Sequence, residues 1–143
     1  MVQIRKAIPE DFAKLLILFR QLWPTKPINE ERLRGVFLRV IAVPDRHYFC
    51  AVLGRRVVGL ASVSIKDNLW QEGRIAYVEE MVVHEDLRGK GIGTQLLKQL
   101  ILSAEENGCH RVELDSAFDR KRAHKFYERH GFENRAFLFS KVL

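Results

Sequence analysis

The segment Arg88-Gly89-Lys90-Gly91-Ile92-Gly93-Thr94 constrains this chain more than any other. It lies between an apolar run, IAYVEEMVV at 75–83, and a stretch in which Ile92, Leu96, Leu97, Leu100, Ile101 and Ala104 recur at helical spacing. Glycines let a backbone approach a ligand closely, and the free amides of a helix N-terminus hold phosphate oxygens with help from the helix dipole. Arg88 and Lys90 add formal positive charge, so the segment reads as a pyrophosphate-binding turn from strand to helix. It is not a P-loop, because no Gly-Lys-Ser/Thr closes it, and Leu96 stands where a dinucleotide fingerprint needs its third glycine.

The rest of the chain supplies a frame for such a turn. Residues 2–6 predict a strand, and Pro9, Glu10 and Asp11 open a helix carrying Phe12, Leu15, Leu16, Phe19 and Leu22. Pro24 and Pro27 end it, and Asn29 caps a second helix with Leu33, Val36, Phe37, Val40 and Ile41 on its buried face. The runs 47–53 and 56–65 form a hairpin about Gly54-Arg55, 66–74 is expected to be a loop, and 75–83 is a third strand. A helix stopped at Asn107-Gly108, a strand over 110–117, a helix from Arg120 to His130 with Gly131 as its stop, and a last strand within 137–143 complete the prediction. The order describes an α/β fold, a mixed central sheet flanked by about four helices, in one domain over 1–143.

Within this frame, 24 Lys+Arg against 18 Asp+Glu leave a net charge of +6, which favours anionic partners. Cys50 and Cys109 show neither a disulfide framework nor a Cys-x-x-Cys pair. The opening MVQIRKAIPED has no apolar signal core, and no run is long enough to span a membrane. A cytoplasmic protein with no membrane partner is therefore expected. The histidines lack metal-ligand spacing, so no metal is assigned.

At Arg88-Gly89-Lys90-Gly91-Ile92-Gly93 the sequence resembles the GNAT superfamily of acyl-CoA-dependent N-acyltransferases, whose signature is Gln/Arg-x-x-Gly-x-Gly/Ala. Downstream, Ala123-His124-Lys125-Phe126-Tyr127-Glu128-Arg129-His130-Gly131-Phe132 looks like the family's A-x-x-F/L-Y-E-x-x-G-F segment. The likeness covers nearly the whole chain in element order, with the part before Asp45 matching loosely. It implies a GNAT-like sheet with splayed central strands and acetyl-CoA as cosubstrate. The amides of Arg88, Gly89, Lys90, Gly91, Ile92, Gly93 and Thr94 would hold the pyrophosphate, and the main chain of Met81, Val82 and Val83 would pair with the pantetheine arm. Where many relatives carry Asn, this chain has Arg120, which departs from the usual cofactor contact.

Acetyl transfer to an amine needs a base, because an ammonium has no lone pair with which to attack. Glu79 is placed first for that role, with Glu80 and Asp115 as alternatives; on a regular strand Glu79 and Glu80 would face opposite sides. The resemblance makes Tyr127 the acid that protonates the departing thiolate. Trp23, Trp70, Tyr77 and Phe137 are candidates to line an acceptor pocket. The expected partners are acetyl-CoA and a primary amine, small molecule rather than protein. No nucleic acid is expected, although the basic cluster Arg120-Lys121-Arg122 motivates a nucleic-acid-binding module as the main rival. A non-catalytic CoA-binding sensor is the second rival. The sequence leaves the oligomeric state open, a homodimer included.

Overall fold

A buried charge ties the first strand to the first helix. In the structure, a computed structural model that describes residues 1–143, β1 (Gln3–Lys6) carries Arg5, whose guanidinium donates to both carboxylate oxygens of Asp11 at 2.8 Å. Asp11, only 2% exposed, also accepts from the Ile8 amide at 2.9 Å. Burial opposes its charge, but these hydrogen bonds outweigh it and hold the carboxyl below its ordinary range. Asp11 ends a 3₁₀ turn begun at Pro9 and leads into α1 (Phe12–Leu22). Asn29 caps α2 (Glu30–Ile41) as expected, its Oδ1 accepting from the Arg32 amide at 2.9 Å.

The chain divides into two compact units, Met1–Glu113 and Leu114–Leu143. The first holds a five-stranded sheet in the order β1-β2-β3-β4-β5, built from β1, β2 (Arg46–Leu53), β3 (Arg56–Asn68), β4 (Gly73–Val83) and β5 (Cys109–Glu113). Every pair is antiparallel except β4 with β5, which α3 (Ile92–Glu106) joins as a crossover. Phe12, Leu15, Phe19 and Phe37 of α1 and α2 pack with Tyr48, Cys50, Leu60 and Val82 of the sheet. Gly59 faces the opposite side, toward α3.

Two strand boundaries differ from expectation. The loop predicted over 66–74 shrinks to a tip at 69–72, because β3 and β4 stay paired out to Asn68 and Gly73. The exposed Leu69 and Trp70 therefore stand at the end of a long hairpin. β5 stops at Glu113 rather than 117, where its ladder with β4 ends.

In the second unit α4 (Lys121–Arg129) ends as predicted at Gly131, whose φ of +88° suits glycine. The strand expected within 137–143 does not form. A strand needs a ladder to satisfy its amides and carbonyls, and this segment pairs with none, so Phe137, Phe139 and Val142 remain exposed.

Gly59 sets how closely α3 approaches the sheet. A Cβ there would lie 2.8 Å from Leu96 Cδ1 and 3.2 Å from both Ala51 Cβ and the Val82 carbonyl oxygen. Gly59→Ala is therefore expected to overpack this contact and cost about 1–3 kcal/mol, read by urea unfolding. A midpoint and slope equal to wild type would show that α3 yields freely.

Candidate active site

The site is organised by an irregularity in β4. On β3, Ala61 opposes Met81 and Val63 opposes Val78, so the single residue Ser62 faces both Glu79 and Glu80. This two-against-one register is a β-bulge. Ser62 is fully buried and pins it twice: its hydroxyl accepts from the Glu80 amide at 3.1 Å and donates to the Glu80 carboxylate. Ser64, two residues along β3 and so on the same face, donates to Glu79 Oε1 at 2.8 Å. The expectation that Glu79 and Glu80 face opposite sides is thus corrected. The extra residue in the bulge turns both carboxylates toward the serine side of the sheet.

Their surroundings differ. Glu79 is exposed, whereas Glu80 is half-buried. Burial pushes the Glu80 carboxyl above its ordinary range and the neighbouring Glu79 charge adds to this, against the opposing hydrogen bond from Ser62. Tyr48 opposes Ser62 and Arg46 opposes Ser64 on β2, which adds both side chains to the same face. Burial, reinforced by Glu80, raises the Tyr48 hydroxyl to about 12. Ser62, Ser64, Tyr48 and Arg46 were missed in the sequence; alternate polar positions within otherwise apolar strands were the available signal.

From Val78 onward β4 has no partner on its β5 side. The parallel ladder with β5 ends at Tyr77 opposite Glu113, so the β5-side edge of Met81, Val82 and Val83 is unpaired. Main-chain groups on such an edge can accept an extended ligand as an added strand. β4 runs into a 3₁₀ turn, Glu85–Leu87, in which His84 Nδ1 accepts from the Asp86 amide at 3.2 Å. Arg88 Nε then donates to the Val83 carbonyl at 3.0 Å, folding the loop back on the strand end. Gly89 and Gly91 have φ of +79° and +84°, and α3 starts at Ile92. Left-handed residues next to the first turn of a helix make a concave nest of amides suited to phosphate oxygens. Arg88, Gly89, Lys90 and Gly91 are all exposed there.

The second unit carries Tyr127 and Asp115. Tyr127 is 7% exposed and meets the rings of Phe126 and Phe132 at 5.4 and 5.6 Å between centroids. Burial raises its hydroxyl above the ordinary range, with Arg120 acting in the other direction. Asp115 is exposed, two residues past the end of β5. Of the candidate pocket aromatics, Trp23 stacks on Phe19 at 5.1 Å, Tyr77 lies under Lys66 Nζ, and Phe137 meets Phe118 at 6.5 Å. Cys50 is buried with its thiol pushed up to about 12, which leaves it without nucleophilic character near neutral pH.

Known proteins resemble this chain in both architecture and sequence. A putative acetyltransferase from Agrobacterium tumefaciens superposes with a TM-score of 0.87 over 99% of both chains, at 29% identity. The aminoalkylphosphonate N-acetyltransferase of Salmonella typhimurium is 30% identical over 141 residues, 99% of this chain and 91% of that one. The glucosamine 6-phosphate N-acetyltransferase of Arabidopsis thaliana is 28% identical over 97% of this chain and 95% of that one. The model of the acetyltransferase (GNAT) family matches residues 10–132, and with the bulged β4, its open edge and the glycine loop this establishes that the chain belongs to that family.

Proposed function

We propose that the protein transfers the acetyl group of acetyl-CoA directly to the primary amine of a small molecule, with 1–143 working as a single catalytic domain. The observation that carries this reading is the bulge that sets Glu80, half-buried and hydrogen-bonded to Ser62, beside an unpaired strand edge. Glu80 takes the proton from the acceptor ammonium, in preference to the exposed Glu79, because a raised carboxyl pKa brings a base nearer to working pH. Met81, Val82 and Val83 offer main-chain partners to the pantetheine arm, and the amides from Arg88 to Thr94 hold the pyrophosphate. Bound acetyl-CoA supplies an activated thioester. Tyr127, whose raised pKa keeps its hydroxyl protonated, donates to the departing thiolate. The family match, which runs across both units, supports the single domain. Two relatives named for aminoalkylphosphonate and glucosamine 6-phosphate support a small acceptor over a protein one.

The test is the pH dependence of Glu80→Gln. In the wild type, kcat/KM should fall as pH drops through the elevated Glu80 pKa, because the base becomes protonated. The variant should lose about 100-fold to 10,000-fold near neutral pH and recover part of it at high pH, where the amine loses its proton unaided. The linkage has the opposite sign for stability: a carboxyl whose folded pKa lies above its unfolded value destabilises the fold as pH rises through that window. Glu80→Gln should therefore unfold no earlier than wild type at neutral pH. A retained acid limb in the variant would assign the base elsewhere.

A further inference from the structure

The row Arg46–Ser64 and the row Tyr48–Ser62 run side by side across β2 and β3 to Glu79 and Glu80. Arg46 is exposed and takes part in none of the chain's ion pairs, although it lies close enough to Glu80 and Tyr48 to act on the ionisation of both. Arg46 and Tyr48 also line an open cavity of about 200 Å³, together with Lys6 and His47, at the end of α2. A guanidinium and a hydroxyl that stays protonated thus share one face of the sheet at this cavity, beside the Ser62–Glu80 pair. Such a lining suits a compact oxyanion, which a guanidinium can bind through two parallel hydrogen bonds.

We propose that Arg46 and Tyr48 form a subsite beside Glu80 that binds an anionic, phosphonate-like substituent of the amine acceptor, with Arg46 as the specificity-determining residue. This rests on the reading of Glu80 as the base: the carboxylate receives the ammonium end of the acceptor while Arg46 receives its anionic end. A neutral amine makes only the first of these contacts.

The experiment compares kcat/KM for aminoethylphosphonate and for propylamine, which lacks the anionic group, in wild type, Arg46→Gln, Arg46→Lys and Arg20→Gln. Arg20 pairs with Glu30 at 2.6 Å on the exposed side of α1, so its replacement removes the same unit of charge away from the subsite. Wild type should prefer the phosphonate. Arg46→Gln should reduce the ratio of the two efficiencies about 10-fold to 100-fold, Arg46→Lys should retain part of it, and Arg20→Gln should keep it. An equal fall in Arg20→Gln would mean that overall charge, not Arg46, sets the preference. Transfer to both amines with one shared efficiency would overturn this inference and leave the proposed function standing.

Discussion

Tyr127→Phe is expected to lower kcat by about 100-fold to 10,000-fold, the usual contribution of general acid catalysis, with the affinity for acetyl-CoA little altered. Phenylalanine keeps the ring and its contacts with Phe126 and Phe132, so thermal stability should stay close to wild type. The substitution thereby separates chemistry from packing. Burial raises the Tyr127 hydroxyl above its ordinary range, which preserves the proton that the proposed role requires. The loss should fall in kcat, because the proton is needed only as the thiolate leaves. Undiminished turnover in a folded variant, in an assay limited by chemistry rather than product release, would reduce Tyr127 to a core aromatic.

Gly91→Asp should remove most of the stabilisation that acetyl-CoA gives the wild type. A ligand that binds only the native state at about 100 times its Kd contributes about 2.7 kcal/mol. Nothing lies within 4 Å of a Cβ at Gly91, so the new side chain has room and the variant should fold. The φ of +84° adds strain for a residue with a Cβ, and the carboxylate places negative charge among the amides of the proposed pyrophosphate site. Differential scanning fluorimetry with and without acetyl-CoA reads the effect. A wild-type ligand shift in the variant would move the pyrophosphate site away from this loop.

The glycine loop was legible because its backbone depends on residue type: φ of +79° and +84° at Gly89 and Gly91 favours glycine, and the helical spacing from Ile92 onward marks the start of α3. The cap at Asn29 and the stop at Gly131 were legible for the same reason. The bulge was not, because one extra residue opposite Ser62 leaves the strand's composition unchanged while reversing where Glu80 points. A period of two assigns faces only where the ladder is regular. The tail 137–143 failed for a different reason, since its residues have strand propensity but propensity cannot supply a partner strand.

The most direct measurement of the central claim is the release of free thiol from acetyl-CoA with and without a primary amine, alongside quantification of acetylated amine by mass spectrometry. Direct transfer predicts release that depends on the amine, thiol and acetylated product in equal amounts, and no acetyl group left on Cys50 or Cys109. Thiol release that leaves the amine unmodified, or an acetylated cysteine that forms and decays at the turnover rate, would contradict it.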